Sequence, residues 1–163
     1  MPTPTMMWSS ISCENANEWM NRSLEACQGS HHSGERKLTE FIDSWAWVEF
    51  FAGSKIGEEV RSYVMDESVD IIISSINLAE IYRIALDRFD EPTAEKRRRA
   101  MLSRCFLIPV DEEIAVQGAR FRHERDWGMG DALIYATALR EGARVLTGDH
   151  HFKGLKDTIF LER

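Results

Sequence analysis

Four carboxylates, Asp43, Glu80, Asp131 and Asp149, occupy positions from which they could do chemistry together. Each also has an ordinary use. Asp43 and Asp131 are of a type preferred at helix N-termini. Glu80 could reach back to Asn77 in a capping box, and Asp149 could stabilise the turn Gly148-Asp149-His150. Helix caps, however, have no reason to meet. Four acids brought to one place would repel, and a bound cation is the simplest remedy. All-oxygen ligation suits Mg2+ or Mn2+ rather than zinc. Such an ion polarises a phosphodiester oxygen, lowers the pKa of bound water and stabilises the leaving oxygen, so no amino-acid nucleophile is needed. The sequence offers no evident serine-hydrolase elbow, P-loop or dinucleotide glycine fingerprint as an alternative.

Whether the four acids meet depends on the elements that carry them. Hydrophobic patterning predicts strands at Leu38–Ile42, Val69–Ser74, Cys105–Val110, Arg144–Thr147 and Thr158–Leu161. Helices are predicted at Ser44–Ala52, Ile56–Met65, Leu78–Phe89, Thr93–Ser103, Asp111–Glu124 and Asp131–Glu141, the last closed by Gly142. Strands alternating with helices imply an α/β protein whose parallel sheet is covered on both faces. The ligand crevice of such a sheet lies at the carboxyl ends of its strands. Asp43 closes the first strand, Glu80 is expected in the first turn of the helix after the second, and Asp149 follows the fourth. Asp131 starts the helix that runs back to that fourth strand, so it belongs to the same edge.

The bulk properties fit this picture. A chain of 163 residues, 44% hydrophobic and 29% charged, makes one soluble domain with a real core. No apolar run approaches the roughly 18 residues of a membrane span, and without a basic start leading into a hydrophobic stretch a secretory signal is not expected. Three cysteines, Cys13, Cys27 and Cys105, have no metal-site spacing and read as reduced thiols of a cytoplasmic protein. A net charge of −7 argues against a general nucleic-acid coat, but an acidic metal site adds to that count where it stands. Residues 1–37, rich in Ser, Asn, Thr and Met, read as a flexible extension, with a short helix at 17–27 and a partner-binding role as the alternative. Residues 38–163 form the domain.

Four segments carry a resemblance. Phe41-Ile42-Asp43-Ser44 with its aromatic continuation, Ile73-Ser74-Ser75-Ile76-Asn77-Leu78-Ala79-Glu80, Gly130-Asp131-Ala132-Leu133-Ile134-Tyr135-Ala136 and Leu146-Thr147-Gly148-Asp149 resemble, in order, the motifs of PIN domains. The compact size is similar to that of VapC-type toxins. The resemblance spans about residues 38–163. It implies a three-layer α/β/α sandwich on a mainly parallel five-stranded sheet. It implies an endoribonuclease dependent on Mg2+ or Mn2+, with Asp43, Glu80 and Asp131 as core acids, Asp149 as the fourth and Ser44 as a hydroxyl beside the metal. It implies a cognate antitoxin, an RNA substrate and a homodimer. Two features depart from the family pattern: polar Thr39 and Glu40 in what should be a buried strand, and residues 1–37.

Other residues admit two readings each. Glu49 either adds a fifth carboxylate or is a solvated helix position. Lys153, Lys156 and Arg125 are the better candidates for contact with RNA phosphates, whereas the run Arg97-Arg98-Arg99 reads first as a solvated face. His150 and His151 are surface turn residues or, alternatively, metal ligands or general acids. Trp47, Phe50 and Phe51 supply core with Trp45 partly exposed, or some of them face a protein partner. An aspartate-nucleophile phosphotransferase would want a second Asp two residues after Asp43, where Trp45 stands. The remaining rival is a PIN-fold module that binds RNA or protein without cutting.

Overall fold

The computed structural model describes residues 38–162, so the expectations for residues 1–37, with Cys13 and Cys27, lie outside the described residues. The chain runs β1 (Leu38–Ile42), α1 (Ser44–Ala52), α2 (Lys55–Met65), β2 (Val69–Ser74), α3 (Ser75–Arg88), α4 (Glu91–Arg104) and β3 (Phe106–Ile108). It continues with α5 (Glu112–Glu124), α6 (Met129–Arg140), β4 (Arg144–Thr147), a 3-10 turn (His150–Phe152) and β5 (Thr158–Phe160). The sheet order is β3-β2-β1-β4-β5, and every pairing is parallel.

The layers follow from strand periodicity. Successive side chains point to opposite faces, and β2 is apolar on both: Ile71 and Ile73 enter one core and Ile72 the other. Ile42 and Leu146 join the first core, Phe41 and Val145 the second. The first core is closed by α1 to α4 through Trp47, Val60, Val64, Ile81 and Met101. The second is closed by α6 and the segments around it through Trp127, Ile134, Tyr135 and Phe152. Chain direction explains the division. From β1 the sheet grows outward through β2 to β3. It then returns to the other side of β1 for β4, and right-handed crossovers put the helices of that return on the opposite face.

Several boundaries differ from the sequence expectation, each for a local reason. Helix α3 begins at Ser75, not Leu78, because Ser74 caps it: its hydroxyl takes the N–H groups of Ile76 and Asn77 while Asn77 Oδ1 accepts from the Ser74 N–H. Glu80 is therefore in the second turn, and the capping box belongs to Ser74 and Asn77. Helix α6 begins at Met129 with Gly128 as N-cap, so Asp131 is its third residue and not its cap. Helix α4 begins at Glu91 behind Asp90, and β3 has three residues where six were expected. Polar Glu40 does belong to the strand. It is fully buried in the central strand, directly opposite Arg144 of β4, whose guanidinium donates to it at 2.6 Å.

Trp47 is fully buried, and the half-buried Phe50 and Phe51 pack on it with ring centroids 5.5 and 5.6 Å away. Cys105 is a buried free thiol, and burial pushes its pKa up to about 12. Among the described residues no helix is long and apolar enough to cross a membrane.

Candidate active site

Asp43 leaves the carboxyl end of β1 in extended conformation and caps α1. Both carboxylate oxygens are held. Oδ1 accepts the Ser44 N–H at 2.6 Å, and Oδ2 accepts the Thr147 hydroxyl at 2.7 Å. Thr147 ends β4 next to β1, and its Oγ1 also accepts the Asp149 N–H at 3.0 Å. One buried hydroxyl thus ties Asp43 to the start of the loop that carries Asp149.

A second chain of contacts fixes Glu80. Asn77, fully buried at the third position of α3, donates from Nδ2 to Ser44 Oγ at 3.0 Å. Ser44 Oγ donates in turn to Glu80 Oε2 at 2.5 Å. The Ser44 hydroxyl has one proton, so its use on Glu80 leaves the oxygen free to accept from Asn77. Gly130, at the start of α6, makes room on the other side: a Cβ there would stand 2.8 Å from Glu80 Oε1. The glycine next to Asp131 therefore lets α6 come down onto the Glu80 carboxylate.

Asp131 and Asp149 meet at a histidine. His151 Nδ1 lies 3.1 Å from Asp131 Oδ2 and 3.2 Å from Asp149 Oδ1. Asp149 caps the 3-10 turn by accepting the His151 N–H at 2.9 Å, which turns the ring back toward the acids. The indole of Trp45 covers this loop. A Cβ on Gly148 would fall 2.4 Å from the ring, so only glycine fits beneath it.

The electrostatics follow from crowding. Burial, aided by the charges of Glu80 and Asp149, pushes the Asp43 carboxyl up to about 7 against the two hydrogen bonds that lower it. Burial also raises Asp131, with Asp149 adding to the rise, while the charge of His151 and the Gly128 N–H oppose it. Among the described residues no Lys or Arg pairs with any of the four acids. Carboxylates gathered in this way, with His151 as the basic side chain beside them, are the donor set of a hard divalent ion.

The structure brings Asp43, Ser44, Glu80, Asp131 and Asp149 together. It turns Glu49 away: its carboxylate accepts from Ser54 Oγ at 2.5 Å, beyond the far end of α1. The arginine run is engaged elsewhere. Arg98 pairs with Glu95, and the Arg97 guanidinium sits over the Phe51 and Phe89 rings. Arg125 lies over the Trp127 ring, and Lys153 lies 3.5 Å from Glu162 and over Phe160. Lys156 is exposed. Sequence reasoning gave no site role to Asn77 and Thr147, because an uncharged residue in a strand end or cap carries no chemical signal of its own. It read His151 first as a surface turn residue, with metal ligand or general acid as the alternative. The signal that could have found it is Asp149 two residues earlier, the spacing at which an Asp side chain accepts a backbone N–H and folds the turn back.

The model of the PIN domain matches residues 41–157. Ribonuclease VapC11 of Mycobacterium tuberculosis is 33% identical over 120 residues, 68% of this chain and 87% of its own length. A VapC ribonuclease of Mycobacterium bovis matches to the same extent. Among solved structures, a toxin–antitoxin complex from Klebsiella pneumoniae superposes with a TM-score of 0.62 at 23% identity, covering 74% of this chain and 95% of its own. The sarcin-ricin-loop-cleaving toxin VapC20 of Mycobacterium tuberculosis gives 0.62 at 16% identity, covering 76% and 98%. These structures share the fold of an all-parallel five-stranded sheet between two helical layers, and with the matched model and the 33% relatives they establish that this chain belongs to the PIN domain family.

Proposed function

We propose that this chain is a Mg2+- or Mn2+-dependent endoribonuclease, the toxin of a type II toxin–antitoxin pair, and that Asp43, Glu80, Asp131 and Asp149 form its active site. The observation that carries the reading is the convergence of four carboxylates from four segments on one sheet edge, with Asp43 buried and, among the described residues, no Lys or Arg to balance it. The printed activity of the 33% relatives supports ribonuclease chemistry, and the toxin–antitoxin complexes among the structural matches support an antitoxin partner.

The four acids would hold the metal, which supplies Lewis acidity at the phosphodiester and a water of lowered pKa. The rest is positioning. Ser44 N–H and Thr147 Oγ1 fix the two oxygens of Asp43, so the side chain needs little reorganisation to bind. The Asn77–Ser44–Glu80 chain does the same for Glu80. Hydrolysis adds the oxygen of water to phosphorus and releases one ribose oxygen. No protein nucleophile is consumed, in keeping with a site made of carboxylates. Lys153, Lys156 and Arg125 near the site loops would take RNA phosphates, and the active unit would be a homodimer in the cytoplasm.

The test is cleavage of a mixed RNA pool with Mg2+, with Mn2+ and with chelator, comparing wild type with Asp131→Asn. Cleavage that needs the ion and vanishes in the variant is the expected result. Equal metal-dependent cleavage by the variant would remove the four-acid site. Ion binding without cleavage of any RNA would favour a binding module instead.

A further inference from the structure

We propose that His151, with its neighbour His150, gives the Asp149 side of the acidic site nitrogen ligands for a divalent transition ion, so that the centre prefers Mn2+ and similar ions over Mg2+. The inference deepens the proposed metal-dependent site and rests on it.

Geometry is the first ground. Oδ1 of Asp149 lies 3.3 Å from His150 Nδ1 and 3.2 Å from His151 Nδ1, and His151 Nδ1 lies 3.1 Å from Asp131 Oδ2. Donor atoms that share an ion at bonds of about 2.1 Å stand roughly 3.0–3.4 Å apart. Asp149, His150 and His151 can each offer one ligand atom within 4.8 Å of the others.

The second ground is the environment of the inner imidazole. His151 Nδ1 is buried and, among the described residues, has no hydrogen-bond partner in good geometry, although two carboxylate oxygens flank it. An ion that displaces the proton from this ring nitrogen would meet its lone pair at the same point as the two carboxylate oxygens. A cation at that point satisfies all three. The 3-10 turn fixes the ring there, because the His151 backbone N–H is itself bound by Asp149. His150 is exposed and stacks beside His151 with ring centroids 4.2 Å apart, so it can swing onto the same ion from solvent.

The chemical consequence is selectivity. Carboxylates alone suit Mg2+ and Mn2+ about alike in ligand type, whereas imidazole favours transition ions, and affinity then rises along the first-row series. Mg2+ gains little from nitrogen and keeps its waters.

The experiment uses the full chain, stripped of metal, and the ions alone. Electron spin-echo spectra of added Mn2+ should show 14N coupling in wild type and none in the His150→Ala/His151→Ala double variant. Titration calorimetry should show His151→Ala losing about tenfold in Mn2+ affinity while Mg2+ affinity changes by less than about twofold. Thermal unfolding of each variant identifies any that fails to fold, and the wild-type spectrum decides the question without a variant. Mn2+ bound with no 14N coupling overturns the inference and leaves the four-acid site standing, provided Asp43→Asn still abolishes binding. Binding of neither ion by wild type overturns both.

Discussion

Glu40 and Asp43 are three residues apart on the same strand and its exit, and the fold buries both, leaving 2% of one and 4% of the other exposed. Their surroundings are opposite. Glu40 faces Arg144 across the β1–β4 pair; burial raises its carboxyl, and the guanidinium offsets part of that rise. Asp43, just past the carboxyl end of the strand, has a hydroxyl and a backbone N–H, and its acidic neighbours push it the wrong way. In the middle of the strand the chain supplies its own counter-charge. At the carboxyl end no Lys or Arg among the described residues does the same. A buried carboxylate with a built-in partner belongs to the architecture, and one without it belongs to function.

Asp43→Asn breaks the comparison hardest. It should remove metal-dependent RNA cleavage, a loss of at least about a hundredfold, while the metal-free protein melts at the same temperature or higher. An active variant, or one that unfolds, would mean that Asp43 serves the architecture after all. Arg144→Ala attacks the paired carboxylate instead. It leaves Glu40 buried and unpaired and should lower unfolding stability by about 2 kcal/mol, below the usual figure for a broken buried pair because Arg144 is half exposed. Chemical denaturation measures it, and cleavage per folded molecule should not change.

A pH series sharpens the contrast. The Asp43 pKa is raised from 3.8 to about 7 on folding, so the folded chain binds more protons than the unfolded one between those values. Stability of the metal-free protein should therefore fall as pH rises from about 4 through 7 and level off above. The slope should flatten in Asp43→Asn and on adding metal; an unchanged slope in the variant would assign the effect to another group. The smallest effect on stability is expected of Gly130→Ala. Its Cβ would displace the Glu80 carboxylate and should cut cleavage about tenfold. The helix itself should hold or gain up to about 1 kcal/mol, so a large drop in melting temperature would show that the packing of α6 on α3, rather than the acid, was disturbed.

Much of this was legible in the sequence. The β-branched run of β2 and the alternation that carries Asp43 to a strand exit are strong signals, and together they place the edge on which the acids meet. What stayed hidden involves partners far away in sequence. Glu40 looks wrong for a central strand until Arg144, 104 positions later, is seen opposite it. Thr147 looks like an ordinary β-former until its hydroxyl is found on Asp43. Glu80 was placed a turn too early because the apolar spacing from Leu78 outweighed the cap signal at Ser74. Asn77 was assigned to the wrong cap for the same reason.

The position of β1 in the middle of the sheet has a consequence for the growing chain. Strands β1, β2 and β3 are made in order and can pair as they appear, but β4 must travel back past them to reach β1, closing a loop of about a hundred residues. Thr147 and Asp149 arrive only with that last closure. A ribosome that has made the first two thirds of this protein has made Asp43 and Glu80 but not the residues that complete their edge. Under the reading proposed here, a truncated or half-finished chain would be harmless, and the capacity to cut would appear only near the end of synthesis.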